Sequence, residues 1–222
     1  MTLNKQKGNM YGFVTHTWNA IKGKCMHDCC YCYMKRFPQK DLWFDYSELK
    51  TNLGENNFIF VGSSTDMFAD NVPKEWIIKV LEHCSKYPNN TYLFQSKNPA
   101  RFNYFLWWMP KKLVLGTTME TNDVLNYPKY SKAPLPSWRS FKDIPEEIDR
   151  MITIEPIMDF YPATFYLWIK NMKPKWVNIG ADSNPTRDFP EPSKEKVLEL
   201  IDTLKEFTEV KIKDNLQRLT NG

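Results

Sequence analysis

Six short apolar runs, each followed by a polar or charged cluster, limit how this chain can fold. They are residues 12–17 (Gly-Phe-Val-Thr-His-Thr), 58–61 (Phe-Ile-Phe-Val), 91–95 (Thr-Tyr-Leu-Phe-Gln), 113–118 (Leu-Val-Leu-Gly-Thr-Thr), 151–154 (Met-Ile-Thr-Ile) and 176–179 (Trp-Val-Asn-Ile). Runs that are apolar throughout suit strands covered on both faces, as in parallel sheets. Helical patterns fill the gaps, and strands alternating with helices are the layout of a βα repeat. Six units are too few for a closed eight-stranded barrel. The expected architecture is therefore α/β, a partial (β/α)6 TIM-like open barrel of parallel strands. It is expected to form one domain over residues 1–222, with the barrel at about 12–208 and a short C-terminal tail at 209–222.

The helical patterns are unequal. Residues 73–87 begin with Pro73 and place Trp76, Ile77, Val80, Leu81 and Cys84 on one stripe, with His83 at its boundary. Helices are also expected at 99–109, at 163–172 and at 193–207, the last with Ser193 as N-cap, and a shorter one at 46–52. The stretch 126–144 contains Pro128, Pro134 and Pro136 and reads as an ordered loop or lid.

Composition narrows the class. At 222 residues, with 42% hydrophobic and 15% aromatic content, the chain has enough apolar side chains for a sizeable core. No run of eighteen apolar residues exists, so no membrane span is expected. The first residues, Met1-Thr2-Leu3-Asn4-Lys5-Gln6-Lys7, lack the apolar stretch of an export signal. Five cysteines, an odd number, without that signal point to the reducing cytoplasm. The net charge of +4 permits a polyanionic partner without requiring one.

Cys25, Cys29 and Cys32 stand as C-x3-C-x2-C, with Tyr31 directly before the last cysteine. A loop this tight can aim three thiolates at one soft metal centre, selecting an iron–sulfur cluster, zinc or copper(I) over hard cations. A [4Fe–4S] cluster normally takes four cysteines, so three leave one iron open to a ligand that is not protein. A structural zinc knuckle competes, with Cys30 or His27 as its fourth ligand; it would make the chain a nucleic-acid or protein interaction module. Cys84 lies on the apolar stripe and reads as a buried core thiol.

In parallel α/β architectures, chemistry sits at the carboxyl ends of the strands. Those ends here carry the cysteine loop, Ser63 to Asp66, Lys97, Thr118 with Glu120, Glu155 and Asp182. Their convergence on one rim adds to the motif.

The cysteine spacing resembles that of the radical S-adenosylmethionine (SAM) superfamily. From about Thr15 to Asn184 the chain also resembles a family of small phage- and plasmid-associated radical SAM proteins, distantly allied to spore photoproduct lyase. The matching pieces are Thr17-Trp18-Asn19, the stretch from Phe60 to Phe68, and Val72-Pro73-Lys74-Glu75-Trp76. Ser96-Lys97-Asn98-Pro99-Ala100-Arg101, the stretch from Gly116 to Asn122, Ile154-Glu155-Pro156 and Trp176-Val177-Asn178-Ile179-Gly180 follow in order. The resemblance implies a [4Fe–4S] cluster on Cys25, Cys29 and Cys32, reductive cleavage of SAM to a 5′-deoxyadenosyl radical, and hydrogen abstraction from a substrate. It implies an electron donor such as flavodoxin or ferredoxin. The alliance with spore photoproduct lyase makes a nucleic-acid base, in DNA or a nucleotide, one candidate substrate.

The same resemblance distributes roles around SAM. Tyr31 would lie by the adenine. The Gly-Gly-Glu stretch common in the superfamily is replaced here by Gly62-Ser63-Ser64-Thr65-Asp66, so Ser63, Ser64 and Asp66 would accept from the SAM ammonium. Lys97 would meet the SAM carboxylate or a substrate phosphate. Thr118 and Glu120 would bind the ribose hydroxyls. Each has a plainer alternative: loop packing for Tyr31, an N-cap for Asp66, a solvated lysine for Lys97, and a helix N-terminal charge for Glu120. Glu155 is either a rim acid or a turn former, and Trp107 with Trp108 is expected to pack a helix.

Overall fold

The computed structural model describes residues 3–6, 8, 10–183 and 189–221; Met1, Thr2, Lys7, Asn184 and Gly222, which the sequence reading touched, lie outside them. Its strands are β1 (Asn4–Lys5), β2 (His16–Trp18), β3 (Ile21–Lys22), β4 (Trp43–Phe44), β5 (Phe58–Val61), β6 (Thr91–Gln95), β7 (Leu113–Thr118), β8 (Asp149–Ile154), β9 (Trp176–Ile179) and β10 (Glu209–Ile212). Among the described residues one eight-stranded sheet has the order β1-β2-β5-β6-β7-β8-β9-β10, and β3 and β4 form a separate two-stranded ribbon. From β2 to β10 every pairing in the large sheet is parallel; only β1 runs antiparallel, on the outside of β2.

The apolar runs are strands as expected, with β5, β6, β7 and β9 at the expected residues. The first is shorter, beginning at His16, because residues 11–14 leave the sheet to form a plug. The tail brings a further parallel strand that the six-unit reading did not include: β10 pairs with β9 in the register Glu209 with Trp176.

Helix α1 (Lys74–Ser85) buries Ile77, Val80, Leu81 and Cys84, the spacing of one helical face. His83, expected at the boundary, is also buried: its Nε2 reaches the Thr51 carbonyl oxygen at 2.9 Å and its ring lies 4.9 Å from that of Trp18. Helices α2 (Pro162–Asn171) and α3 (Lys194–Lys205) follow, and α4 (Gln217–Thr220) closes the described chain. Ser193 caps α3 by accepting from the Lys196 backbone amide. The expected helix at 99–109 is instead two 3-10 turns, Pro99–Tyr104 and Leu106–Trp108, and Trp107 is 90% exposed rather than packed. Residues 46–50 are likewise a 3-10 turn.

Side chains alternate across the parallel strands. Ile59, Val61, Tyr92, Phe94, Leu115, Ile152, Ile154, Val177 and Ile179 join one core with the buried stripes of α1, α2 and α3. Phe60, Leu93, Val114 and Met151 face the other way and meet Tyr11 and Val14, with Phe13 packed against them. The segment before β2 therefore fills the interior at the amino ends of the strands. What stays open is the interior at their carboxyl ends.

Candidate functional site

A cavity of about 1450 Å³ occupies that open end. Its wall takes Gly62 to Asp66 after β5, Gln95 to Lys97 at the end of β6, Thr118 of β7, Thr153 and Glu155 around the end of β8, Ala181 to Ser183 after β9 and Lys213 after β10. Gly62 makes the first of these turns. It sits at φ +79°, where a side chain is strained, and a Cβ there would also press on Met67 at 3.2 Å.

Cys25, Cys29 and Cys32 all line this cavity. They follow the β3 ribbon in a loop closed by Asp28 N to Cys25 O at 3.3 Å and Cys32 N to Cys29 O at 3.2 Å, with Asp28 at φ +46°. Among the described residues no group of three or more His, Cys, Asp or Glu is drawn together as a metal site, so the three thiols share a wall without being gathered around one point. In type and number the donor set fits an iron–sulfur cluster: three soft thiolates on one cavity. Burial, followed by the charge of Asp66, pushes the Cys25 thiol up to about 12, so a metal must displace its proton. Of the two fourth ligands the zinc alternative would use, Cys30 is exposed and does not line the cavity. His27 does line it, with Nε2 engaged at 2.9 Å by Asp66 Oδ2.

Asp66 is more heavily engaged than an open acceptor would be. Its Oδ2 faces His27 Nε2 and accepts from Ser96 Oγ at 3.0 Å and the Lys97 amide at 2.8 Å, while Oδ1 accepts from the Phe68 amide at 3.0 Å. Burial works against its charge, but these donors, His27 foremost, outweigh it and hold the carboxyl below the usual range. Asp66 thus ties the cysteine loop to the ends of β5 and β6. Ser63 and Ser64 lie beside it, held by Asn19, whose side-chain oxygen accepts from the Ser64 amide at 3.1 Å.

Glu120 departs from its expected place. Its side chain has no exposed area and it does not line the cavity. Oε2 accepts from Arg139 Nη1 at 2.6 Å; Oε1 accepts from Lys97 Nζ at 2.7 Å, Tyr127 OH at 3.2 Å and, in a very short bond, Tyr31 OH. Burial alone would raise this carboxyl, but the charges of Arg139 and Lys97 hold it well below the usual range. With four donors converging from its own chain, Glu120 anchors a buried network and offers no lone pair to a ribose.

Lys97 and Tyr31 bridge that network and the cavity, which both line. The ammonium of Lys97 sits 5.4 Å over the Tyr31 ring. Burial disfavours its charge, but Glu120 more than compensates and raises its pKa. Thr118 is buried at the cavity wall and accepts from Gln95 Nε2 at 3.1 Å.

The 126–144 segment, expected to be an ordered loop or lid, folds onto the cysteine loop. Cys30 N donates to Tyr130 O at 2.8 Å and Lys132 N to His27 O at 2.7 Å, while Ser131 Oγ lies 3.0 Å from Cys29 Sγ. Arg139, Tyr127 and Ser131 carried no signal in the sequence, being polar residues in a proline-rich loop. Lys213 was equally hidden. It follows strand β10, pairs with Glu155 at 2.6 Å, and stands 5.1 Å over the ring of Tyr11.

Comparisons with known proteins agree with this fold. The chain belongs to DUF5131, a family described as a protein of unknown function, whose model matches residues 10–192. No curated protein matches it in sequence. Among solved structures it is similar to a spore photoproduct lyase variant with dinucleoside spore photoproduct, at TM-score 0.65 and 9% identity over 95% of this chain and 80% of that one. A second lyase variant, with bound AdoMet and dinucleoside spore photoproduct, matches at the same values. A third matches at TM-score 0.62 and 10% identity, covering 93% of this chain and 78% of that one. At such identity the likeness is one of fold: α/β with a mostly parallel central sheet.

Proposed function

We propose that this member of the DUF5131 family is a radical SAM enzyme, formed as one domain over residues 1–222, with Cys25, Cys29 and Cys32 as ligands of a [4Fe–4S] cluster. The observation that carries the reading is that these three cysteines, and not Cys30, line a cavity at the carboxyl ends of the parallel strands. The fold shared with structures that hold AdoMet supports it. The bound cluster and SAM would supply the electron transfer and the radical that abstracts hydrogen.

The chain's own residues then bind and orient. Tyr31, held at its hydroxyl by Glu120, presents a ring edge and face to the adenine. Ser63, Ser64, Lys97 and Thr118 supply polar contacts to SAM along the wall. Asp66, with its oxygens already engaged, acts by fixing the cysteine loop and the Lys97 amide, and adds negative charge near the SAM ammonium. Glu120 acts through Tyr31 and Lys97 rather than by touching SAM.

The substrate enters from the outer mouth. Lys5, Lys24, Lys35 and Arg36 line the cavity together with Tyr33 and Phe37, the latter two 48% and 57% exposed. Cations interleaved with exposed aromatics suit a nucleic-acid base on its phosphate backbone, and two of the similar lyase structures hold a dinucleoside. Flavodoxin or ferredoxin would deliver the electron. Anaerobic, cluster-loaded protein supplied with SAM and dithionite should release 5′-deoxyadenosine and methionine, seen by chromatography. Cluster-loaded protein that leaves SAM intact would overturn the reading.

A further inference from the structure

Ser131 brings the 126–144 segment against a motif sulfur, its Oγ 3.0 Å from Cys29 Sγ. Its backbone neighbours are pinned to the cysteine loop on both sides, Tyr130 O accepting from Cys30 N at 2.8 Å and Lys132 N donating to His27 O at 2.7 Å. Lys132 Nζ adds an ion pair with Asp28 at 2.9 Å. The hydroxyl is therefore held beside Cys29 by main chain, not by its own side chain. Ser131 and Cys29 are each only 5% exposed, so water does not compete for the contact.

A hydroxyl has one hydrogen to give and two lone pairs. The Ala133 amide donates to Ser131 Oγ at 3.1 Å, which uses one lone pair. Two acceptors then compete for the hydrogen: Cys29 Sγ at 3.0 Å and the His27 carbonyl oxygen at 3.3 Å. A free thiol can donate its own hydrogen to Oγ and leave the hydroxyl to His27. A metal-bound thiolate has no hydrogen. The serine is then the only donor in the pair, and sulfur is its nearer acceptor.

We infer that Ser131 is a positioning residue of the cluster, donating from its hydroxyl to Cys29 Sγ and thereby raising the reduction potential of the centre. The inference rests on the proposed role of the three cysteines. A reduced cluster carries one more negative charge than an oxidised one, so a donor aimed at a ligand sulfur stabilises the reduced form more. Removing the hydroxyl should make the centre harder to reduce.

The test compares wild type, Ser131→Ala and Ser131→Thr after anaerobic reconstitution, with circular dichroism as the check on folding. Each is titrated with dithionite against redox dyes, and the reduced cluster is quantified by electron paramagnetic resonance. Ser131→Ala should show a reduced-to-oxidised ratio about tenfold lower at a fixed ambient potential, about 59 mV for a one-electron couple. Ser131→Thr, which keeps the hydroxyl, should stay near wild type. Loss of iron from a folded Ser131→Ala beside a normal Ser131→Thr also supports the assignment, since the hydroxyl is then needed to hold the ligand. An unchanged potential in loaded Ser131→Ala overturns it, and so does loss of iron from both variants. Wild type that takes up no cluster overturns the cysteine assignment itself, and the inference with it.

Discussion

Arg139 Nη1 donates to Glu120 Oε2 at 2.6 Å with neither side chain exposed to solvent. The pair joins the loop after β7 to the lid, and through Tyr31 and Lys97 it reaches the cysteine loop and the cavity wall. A buried charge stripped of its partner is costly, whereas the intact pair contributes little over an apolar substitute. Glu120→Gln should therefore destabilise the protein by roughly 3–5 kcal/mol, read from urea denaturation. The double variant Glu120→Gln with Arg139→Met should recover part of that loss; a strictly additive result would show that the two side chains are not coupled.

Acid should act through the same groups. Glu120 and Asp66 both have carboxyls held below their ordinary values in the folded protein. The folded state thus binds fewer protons than the unfolded chain between the folded and unfolded pKa values, and stability rises with pH there. Their contribution is fully present above the unfolded values, about 3.9 for Asp and 4.3 for Glu, and is lost as pH falls through the lower folded ones. Denaturation midpoints measured from pH 6 downward should fall more steeply in wild type than in Glu120→Gln.

Asp66→Asn should loosen the site rather than only weaken SAM. Asparagine keeps one acceptor oxygen and turns an amide group toward donors that now go unmet, at about 1–3 kcal/mol for each buried group left unpaired. Hydrogen exchange of the Lys97 and Phe68 amides should speed up in this variant. Wild-type protection at both, with SAM affinity alone reduced, would return Asp66 to the ligand-binding role expected from its position after β5.

Gly180→Ala examines the wall built by the tail. A Cβ at residue 180 would lie 2.8 Å from Glu155 Oε1 and 2.9 Å from Asn215 Oδ1. Relief requires moving the Glu155 carboxylate that Lys213 and Asn215 hold. Overpacking of this kind costs about 1–3 kcal/mol, visible as a lower Tm. An unchanged Tm would mean that the Glu155 and Asn215 side chains move aside at no cost, and that their contacts do not fix this wall.

Strands buried on both faces announce themselves, which is why β5, β6, β7 and β9 were legible as uninterrupted apolar runs. β10 was not, because Glu209-Val210-Lys211-Ile212 alternates charge with apolar residues, the habit of a sheet edge. Lys211 covers apolar surface with its stem, its ammonium 5.2 Å over the Trp176 ring. The 99–109 segment carries helical spacing yet forms 3-10 turns around the buried Phe102 and Phe105, with Arg101 spent on the carbonyls of Ala69 and Val72. In the site, the cysteine loop and the polar strand ends could be read from order along the chain. Glu120 could not be told from a cavity acid, since its partner Arg139 lies nineteen residues on, in a loop whose path no local pattern reveals.

Iron and acid-labile sulfide in anaerobically reconstituted protein test the central proposal most directly. The account predicts about four of each per chain in wild type, in Cys30→Ala and in Cys84→Ala, with loss in Cys25→Ala, Cys29→Ala and Cys32→Ala, because a three-thiolate site has no spare ligand. A single zinc per chain, or iron kept by Cys29→Ala and lost by Cys30→Ala, would contradict it.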